Sequence, residues 1–351
     1  MTVGEWADKW LASKVNLAES TRDRYADVID AWVRPRWGAV KLSAVTHEAL
    51  QAWLAEIDRA PATVRKVHRV VSQMFDYAVK AGRLHKNPAT GVSLPRVRAA
   101  EKRYLSHGQV DAMAAEVGPE WATLVYFLAY TGVRWGEAAA LRVRNVDIER
   151  RRASIVESVT PVRGVMVWGA TKTHERREVP LPRFLAVLLE GHVMGKAPDA
   201  LVFTGPQGAV LRGSTFRARA LSHAAEELGL CVPKLDAEGK QVTRRRRGVD
   251  VPVFTGHFHP HEFRHTAASL AIASGADVKV VQQMLGHKSA TMTLDLYGHL
   301  FPDRLDVVAD AMEAARLAGS TAADQAAIGS GSCDQMVTMP VAQAPGDSEA
   351  A

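Results

Sequence analysis

Residues 261–297 read HEFRHTAASLAIASGADVKVVQQMLGHKSATMTLDLY, a stretch with helical rather than strand periodicity. His261 and Arg264 stand three residues apart and so share one face of a helix. Leu285-Gly286-His287 follows, and ten residues beyond His287 comes Tyr297, the sole tyrosine after Tyr130. A nucleophile in the C-terminal half of the chain therefore has one phenolic candidate.

Working outward, the segment from Cys231 to Thr255 reads as a loop and carries the run Arg244-Arg245-Arg246-Arg247. Before it, alternation over Ala153–Val159, a turn at Arg163-Gly164, Val165–Trp168 and Glu178–Leu181 predicts one small antiparallel sheet. Thr171-Lys172-Thr173 falls between its strands. Helices are predicted over Ser106–Val117, over Trp121–Tyr130, and after Thr131-Gly132 as far as Leu141. The N-terminal part is helical throughout, with Trp6, Trp10, Val28, Trp32, Leu50, Trp53, Val67, Val70, Met74 and Tyr77 recurring at three- and four-residue steps that imply four helices and a tryptophan-rich core. Ser20 and Thr21 read as an N-cap, Pro35 as the end of that helix, and Asn87-Pro88 as the close of the domain. Pro95 with Arg96, Arg98, Lys102 and Arg103 reads as an exposed basic linker able to track a DNA backbone. The fold class expected is mainly α with a small antiparallel β-sheet: a helical domain over 1–90, a linker over 91–103, a second domain over 104–317, and a disordered tail over 318–351.

Composition narrows the function. A chain of 351 residues exceeds the single-core range of about 250–300 and suits two domains. A net charge of +6 favours a polyanionic partner without naming it. Cys231 and Cys333 lie far apart with no Cys-x-x-Cys spacing, which argues against a disulfide framework or thiolate zinc site and fits a reduced cytoplasm. The first residues carry no signal-peptide pattern. The longest apolar stretch, near Trp121–Tyr130, is about half of the roughly 20 residues a spanning helix needs, so no membrane is expected.

Four motifs carry chemistry. Thr131-Gly132-Val133-Arg134-Trp135-Gly136-Glu137 places Arg134 at a helix start, facing an anion. With Arg264 it can hold the nonbridging oxygens of a phosphodiester and neutralise charge growing in a pentacoordinate transition state. Tyr297 supplies a nucleophile whose ordinary pKa of about 10 calls for help in losing its proton. His261 suits that proton, Lys172 suits protonation of the leaving 5′ oxygen, and His287 suits donation to a phosphate oxygen.

The order Arg134, Lys172, His261, Arg264, His287, Tyr297 resembles the active-site signature of the tyrosine recombinase or phage integrase family over most of the chain. The resemblance implies paired phosphate-binding arginines in Arg134 and Arg264, an acid on a hairpin in Lys172, a base-like histidine in His261, a second histidine in His287 and the nucleophile in Tyr297, with Glu137 supporting the first arginine. It further implies a helical, SAM-like core-binding domain followed by a catalytic domain, clamped around double-stranded DNA. It implies a 3′-phosphotyrosyl intermediate that needs neither metal nor ATP and so no cofactor, and a homotetramer formed by exchange of a C-terminal segment near 303–318. Attachment or crossover sites are the expected DNA, with an excisionase or host DNA-bending protein as accessory partners. The motif reads His-Glu-Phe-Arg-His where Asp and Leu are commoner. The chain also begins almost directly in the core-binding region, so an arm-binding domain is expected to be absent or to lie upstream.

Blander readings stand beside these. His257, His259, His261 and His265 form a cluster with an i, i+4 pair suited to a metal, but no acidic base is expected between that pair in a His-Glu-x-x-His arrangement, and Arg264 would repel a cation there. Arg244, Arg245, Arg246 and Arg247, with Lys102 and Arg103, read as phosphate-tracking DNA-binding candidates rather than sequence readers. A DNA-relaxing topoisomerase of the same chemistry and a non-catalytic DNA-binding regulator are the competing functions. Chain length favours a prophage or other mobile element over chromosome-dimer resolution.

Overall fold

The computed structural model describes residues 1–97, 102–170, 176–246, 248–301, 305–306 and 308–317. Arg98, the Thr171-Lys172-Thr173 motif, Arg247 and the 318–351 tail lie outside the described residues. Met1–Leu300 forms one compact unit.

The N-terminal helices are α1 (Val3–Ala12), α2 (Glu19–Val28), α3 (His47–Glu56) and α4 (Pro61–Lys80). Thr2 caps α1 through a reciprocal pair, its hydroxyl accepting from the Glu5 amide while the Glu5 carboxylate accepts from the Thr2 amide. Trp6, Trp10, Val28, Leu50, Trp53, Val67, Val70 and Met74 are buried together, as the helical periodicity predicts, whereas Trp32 and Tyr77 are only partly buried against them and Trp37 and Phe75 join the core without having been expected. Each such side chain withdrawn from water contributes about 1.5–3 kcal/mol, which lets four short helices hold a core of their own.

Two local expectations fail here. The first turn of α2 closes on the Ala18 carbonyl, so Ser20 and Thr21 lie inside the helix rather than capping it. Pro35 does not end the helix either. A π turn over Ile29–Val33 carries the chain into Arg34–Trp37, with the Arg34 amide donating to the Ile29 carbonyl. The wider turn moves the ladder past the point where proline lacks its N–H. Beyond α4, Asn87 ties the chain back by donating to the Ser72 carbonyl and to Asp76, at 3.0 and 2.7 Å.

A second core is built on α5 (His107–Glu116), α6 (Pro119–Thr131) and α7 (Trp135–Ala140), with Phe127, Phe203, Phe216, Phe258 and Phe263 inside. The strands β1 (Val146–Asp147), β2 (Arg152–Ile155), β3 (Glu157–Val162), β4 (Val165–Ala170) and β5 (Arg177–Pro180) make two sheets rather than the single one expected: β1-β2-β5 and the hairpin β3-β4. The chain changes partner at Val156, leaving β2 to pair with β5 and β3 with β4. Arg163-Gly164 is the hairpin turn as predicted, both residues at positive φ, and Arg163 ion-pairs with Asp23 on α2.

The helix α8 (Arg183–Val193) follows. The 231–255 segment is not a loop but a β-ribbon: β6 (Val232–Pro233) pairs with β9 (Phe254–Thr255), and β7 (Thr243–Arg246) with β8 (Val249–Pro252). Its Thr, Val and Phe residues favour extended backbone, and the Lys234, Val242 and Val253 amides close the ladder where the strands meet. The last helices of this unit are α9 (Glu262–Ala273), α10 (Val278–Leu285) and α11 (Ala290–Tyr297).

Candidate active site

Two left-handed glycines set the frame. Gly132 ends α6 at φ +65°, and a Cβ there would fall 2.5 Å from a Leu285 methyl and 3.1 Å from the Ala267 Cβ, so only glycine lets α6, α9 and α10 meet. Gly286 ends α10 at φ +64°, where a Cβ would press on the Arg177 side chain at 3.0 Å. Helix C-termini leave carbonyls without intrahelical partners, and guanidinium groups take these. Arg264 donates to the Gly132 carbonyl at 2.7 Å, Arg134 to the Gly286 carbonyl at 3.4 Å, and Arg177 to the Met284 carbonyl at 3.1 Å.

Between the arginines lies Glu137, 1% exposed. Arg134 is the N-cap residue of α7; its amide donates to Glu137 at 2.9 Å and its guanidinium at 2.7 Å. Arg177 donates two further bonds to the same carboxylate, at 3.1 and 2.5 Å. Burial alone would raise the Glu137 carboxyl, but the Arg177 hydrogen bonds and charge, followed by Arg134, outweigh it and hold the group below its ordinary value. Arg264, 4% exposed, has its guanidinium pulled down to about 9 by burial and then by repulsion from Arg134, which leaves it protonated at neutral pH.

Tyr297 closes α11 and is 1% exposed; burial, above all, pushes its phenol up to about 12. Its hydroxyl lies 2.8 Å from Nδ1 of His265. His287 stacks parallel to the Tyr297 ring with centroids 6.3 Å apart, and its Nδ1 lies 2.9 Å from the Thr293 hydroxyl. Burial and then the charges of Arg264, Arg134 and Arg177 pull His287 down to about 4, so it is neutral. In the tautomer in which Nδ1 accepts from Thr293, Nε2 carries the proton and can donate to an anion.

The structure thus gathers Arg134, Glu137, Arg264, His287 and Tyr297, and adds Arg177, which no motif contains, and His265, which in the sequence reads only as a candidate metal ligand. His261 caps α9 with its ring against His265, centroids 5.2 Å apart. Lys172 falls in the chain between β4 and β5, outside the described residues. Lys102 and Arg103 are half-buried rather than an exposed strap. Lys102 donates to the Leu296 carbonyl at 2.6 Å and sits 5.5 Å over the Tyr297 ring, while Arg103 donates to the His257 carbonyl and to Glu262 at 2.9 and 2.8 Å. Arg244 and Arg245 are exposed on β7.

Residues 261–265, His-Glu-Phe-Arg-His, do have the His-Glu-x-x-His spacing of zinc-binding helices, contrary to the expectation that no acidic residue sits between the two histidines. The structure turns these groups elsewhere, Glu262 to Arg103 and His265 to Tyr297. Among the described residues no group of three His, Cys, Asp or Glu side chains is arranged to hold a metal.

The phage integrase family profile matches residues 103–304, and the phage integrase central domain profile matches residues 3–93. The chain belongs to the phage integrase family. It is a tyrosine recombinase, an enzyme that breaks and rejoins DNA strands through a phosphotyrosine intermediate. Among its relatives are the integrase of Mycobacterium phage L5, 26% identical over 89% of this chain and 79% of that one, and tyrosine recombinase XerC of Mycobacterium bovis (strain BCG / Pasteur 1173P2), 28% identical over 86% and 95%. The fold is that of the Tn1549 transposon integrase in complex with a circular intermediate DNA, with a TM-score of 0.70 at 17% identity over 89% of this chain and 99% of that one. The lambda integrase dimer bound to a COC′ core site follows, with a TM-score of 0.58 at 19% identity over 83% and 97%. In this recombinase no described helix is long and apolar enough to cross a membrane.

The buried carboxylate makes a prediction. Glu137→Gln leaves two guanidinium groups without their anion and is expected to cost about 3–5 kcal/mol in urea unfolding at neutral pH. Because the folded carboxyl lies below its ordinary 4.5, its stabilisation is present above that value and lost as pH falls through the folded one. Wild type should therefore lose melting temperature on acidification below about pH 4.5, and Glu137→Gln should lose less over that window.

Proposed function

We propose that this recombinase integrates and excises a phage or other mobile element at short attachment sites in double-stranded DNA, in the cytoplasm, with Tyr297 as its nucleophile. The observation that carries the reading is the convergence on one buried tyrosine of a histidine ladder and an arginine cluster with more positive than negative charge. The similarity to a phage integrase over 89% of the chain supports the mobile-element assignment.

The chemistry follows from the charges. Arg134 and Arg264 bind the nonbridging oxygens of the scissile phosphate, and His287 donates from Nε2 to the same group. Tyr297 attacks phosphorus, the P–O5′ bond breaks, and Lys172 protonates the departing 5′ oxygen. The energy of the broken phosphodiester is kept in the 3′-phosphotyrosyl bond, so rejoining needs no ATP. Glu137 positions Arg134, and Arg177 holds Glu137. The DNA-bound structures of the Tn1549 and lambda integrases support duplex DNA as the partner.

Two surfaces extend the reading. Arg244 and Arg245 on the exposed ribbon, with Arg246 and Arg247 following in sequence, track the phosphates of duplex flanking the site. In the second unit, residues 308–317 are helical, and Leu305, Val308 and Met312 expose an apolar stripe at three- and four-residue spacing. We assign this stripe to a neighbouring protomer in a homotetramer assembled on two sites, with an excisionase or DNA-bending protein setting direction.

The deciding experiment traps the enzyme on a nicked suicide duplex from the region flanking the gene. Wild type should give a covalent adduct on a denaturing gel and Tyr297→Phe none; an adduct that persists in Tyr297→Phe sinks the assignment. Replacing Arg244 and Arg245 by alanine should flatten the slope of log affinity against log salt by about 2, roughly 0.9 per lost phosphate contact. Changing Val308 and Met312 to aspartate should leave single-site binding intact while sedimentation shows loss of the four-protomer complex.

A further inference from the structure

The hydroxyl of Tyr297 is hydrogen-bonded to His265, the residue immediately after Arg264, and not to the motif histidine His261 four residues earlier on the same face. The rings of His265 and Tyr297 lie 5.7 Å apart at 60°, and His261 packs edge-on against the other side of His265 at 84°. His265 is thereby held between the nucleophile and the more exposed His261. We propose that His265 takes the phenolic proton of Tyr297 directly as the tyrosine attacks phosphorus, a proposal that rests on the reading of Tyr297 as the nucleophile.

The step balances. The Oη–H bond breaks as Nδ1–H forms on His265, the Oη electron pair makes the bond to phosphorus, and the P–O5′ pair leaves with a proton from the general acid. In the rejoining half, the 5′ hydroxyl gives its proton back to the deprotonated general acid as its oxygen attacks phosphorus, the P–Oη bond breaks, and His265 returns its proton to the tyrosine oxygen. A neutral imidazole with its proton on Nε2 presents the required lone pair at Nδ1.

The environment keeps His265 in that form. Burial first, then the charges of His261, Lys102 and Arg264, pull it down to about 4. A base that weak does not strip a resting phenol held at about 12, so no phenolate accumulates without DNA. During attack the balance reverses. As electron density moves from Oη to phosphorus, the phenolic proton becomes strongly acidic, and a weak, correctly placed base accepts it within the same step. The incoming phosphodiester brings negative charge that offsets the imidazolium formed beside Lys102 and Arg264. His261 stands where it can pass that charge outward, toward solvent.

The test separates proton transfer from placement. His265→Asn keeps a hydrogen-bond acceptor near the Nδ1 position but is no base, whereas His265→Ala keeps neither. Under single turnover on the suicide duplex, with DNA saturating, both variants should form adduct about 100-fold more slowly than wild type. Gel-shift affinity should be unchanged, and free imidazole should restore the alanine variant. A bridging 5′-sulfur substrate, which leaves without an acid, should not rescue either one. Adduct formation by His265→Asn within about threefold of wild type would overturn the proposal, since acceptance alone would then suffice. So would a full loss in His261→Asn alongside normal His265→Asn. Failure of the underlying nucleophile assignment reads differently: it is adduct formation by Tyr297→Phe.

Discussion

The carboxylate of Glu137 bonds to Arg134 and Arg177, while Arg264, repelled by both, is held by a backbone carbonyl. Three guanidinium groups and one carboxylate share a largely buried place, and charges removed from water are costly unless paired. Glu137 makes the arrangement tolerable, and the surplus of positive charge makes it useful. A site left short of an anion gains most when a phosphodiester enters, and gains more as negative charge accumulates on its oxygens. Removing Glu137 would disperse the arginines, whereas adding a second carboxylate would satisfy them and close the site to phosphate.

The helices serve that cluster. Gly132 and Gly286 end α6 and α10 in left-handed turns, and each offers a carbonyl to an arginine of the cluster, Arg264 and Arg134 respectively. The segment before α5 completes the enclosure from the other side. Lys102 holds the carbonyl of Leu296, and the Tyr104 hydroxyl lies 3.2 Å from Nε2 of His299, so both flanks of Tyr297 are tied to the chain that leads back to the N-terminal helices. The end of a basic stretch that reads as a free linker, Lys102 and Arg103, in fact packs against the chain around Tyr297 and α9.

The helical architecture is legible because burial at three- and four-residue steps leaves a pattern in the sequence, and Trp6, Trp10 and Trp53 fill the core that pattern predicts, with Trp32 at its edge. The arginine pair, His287 and Tyr297 were legible as motifs. Arg177 was not, because nothing marks it locally. It stands opposite buried Ile155 in the β2–β5 register, on the same face as Val179, and an inward-pointing arginine in a strand is the signal that would have found it. His265 lay in plain view within the motif, but side-chain pairing across α9 and α11 decides which histidine meets the tyrosine, and sequence spacing does not encode that. The ribbon at 232–255 was read as a loop because its arginines, glycines and prolines mask the alternation of its short strands. Pro35 misled through a general rule that a π turn locally suspends.

Placing the tyrosine beside cations and away from water creates opposing demands. Arg264 favours a tyrosine anion, yet burial outweighs it and keeps the phenol protonated; the same burial and cations keep His265 and His287 neutral. A resting enzyme with these groups holds neither a phenolate nor an imidazolium and so has little tendency to attack anything. On the reading proposed above, a phosphodiester would change the balance, because it would both neutralise the arginines and withdraw electrons from the tyrosine oxygen.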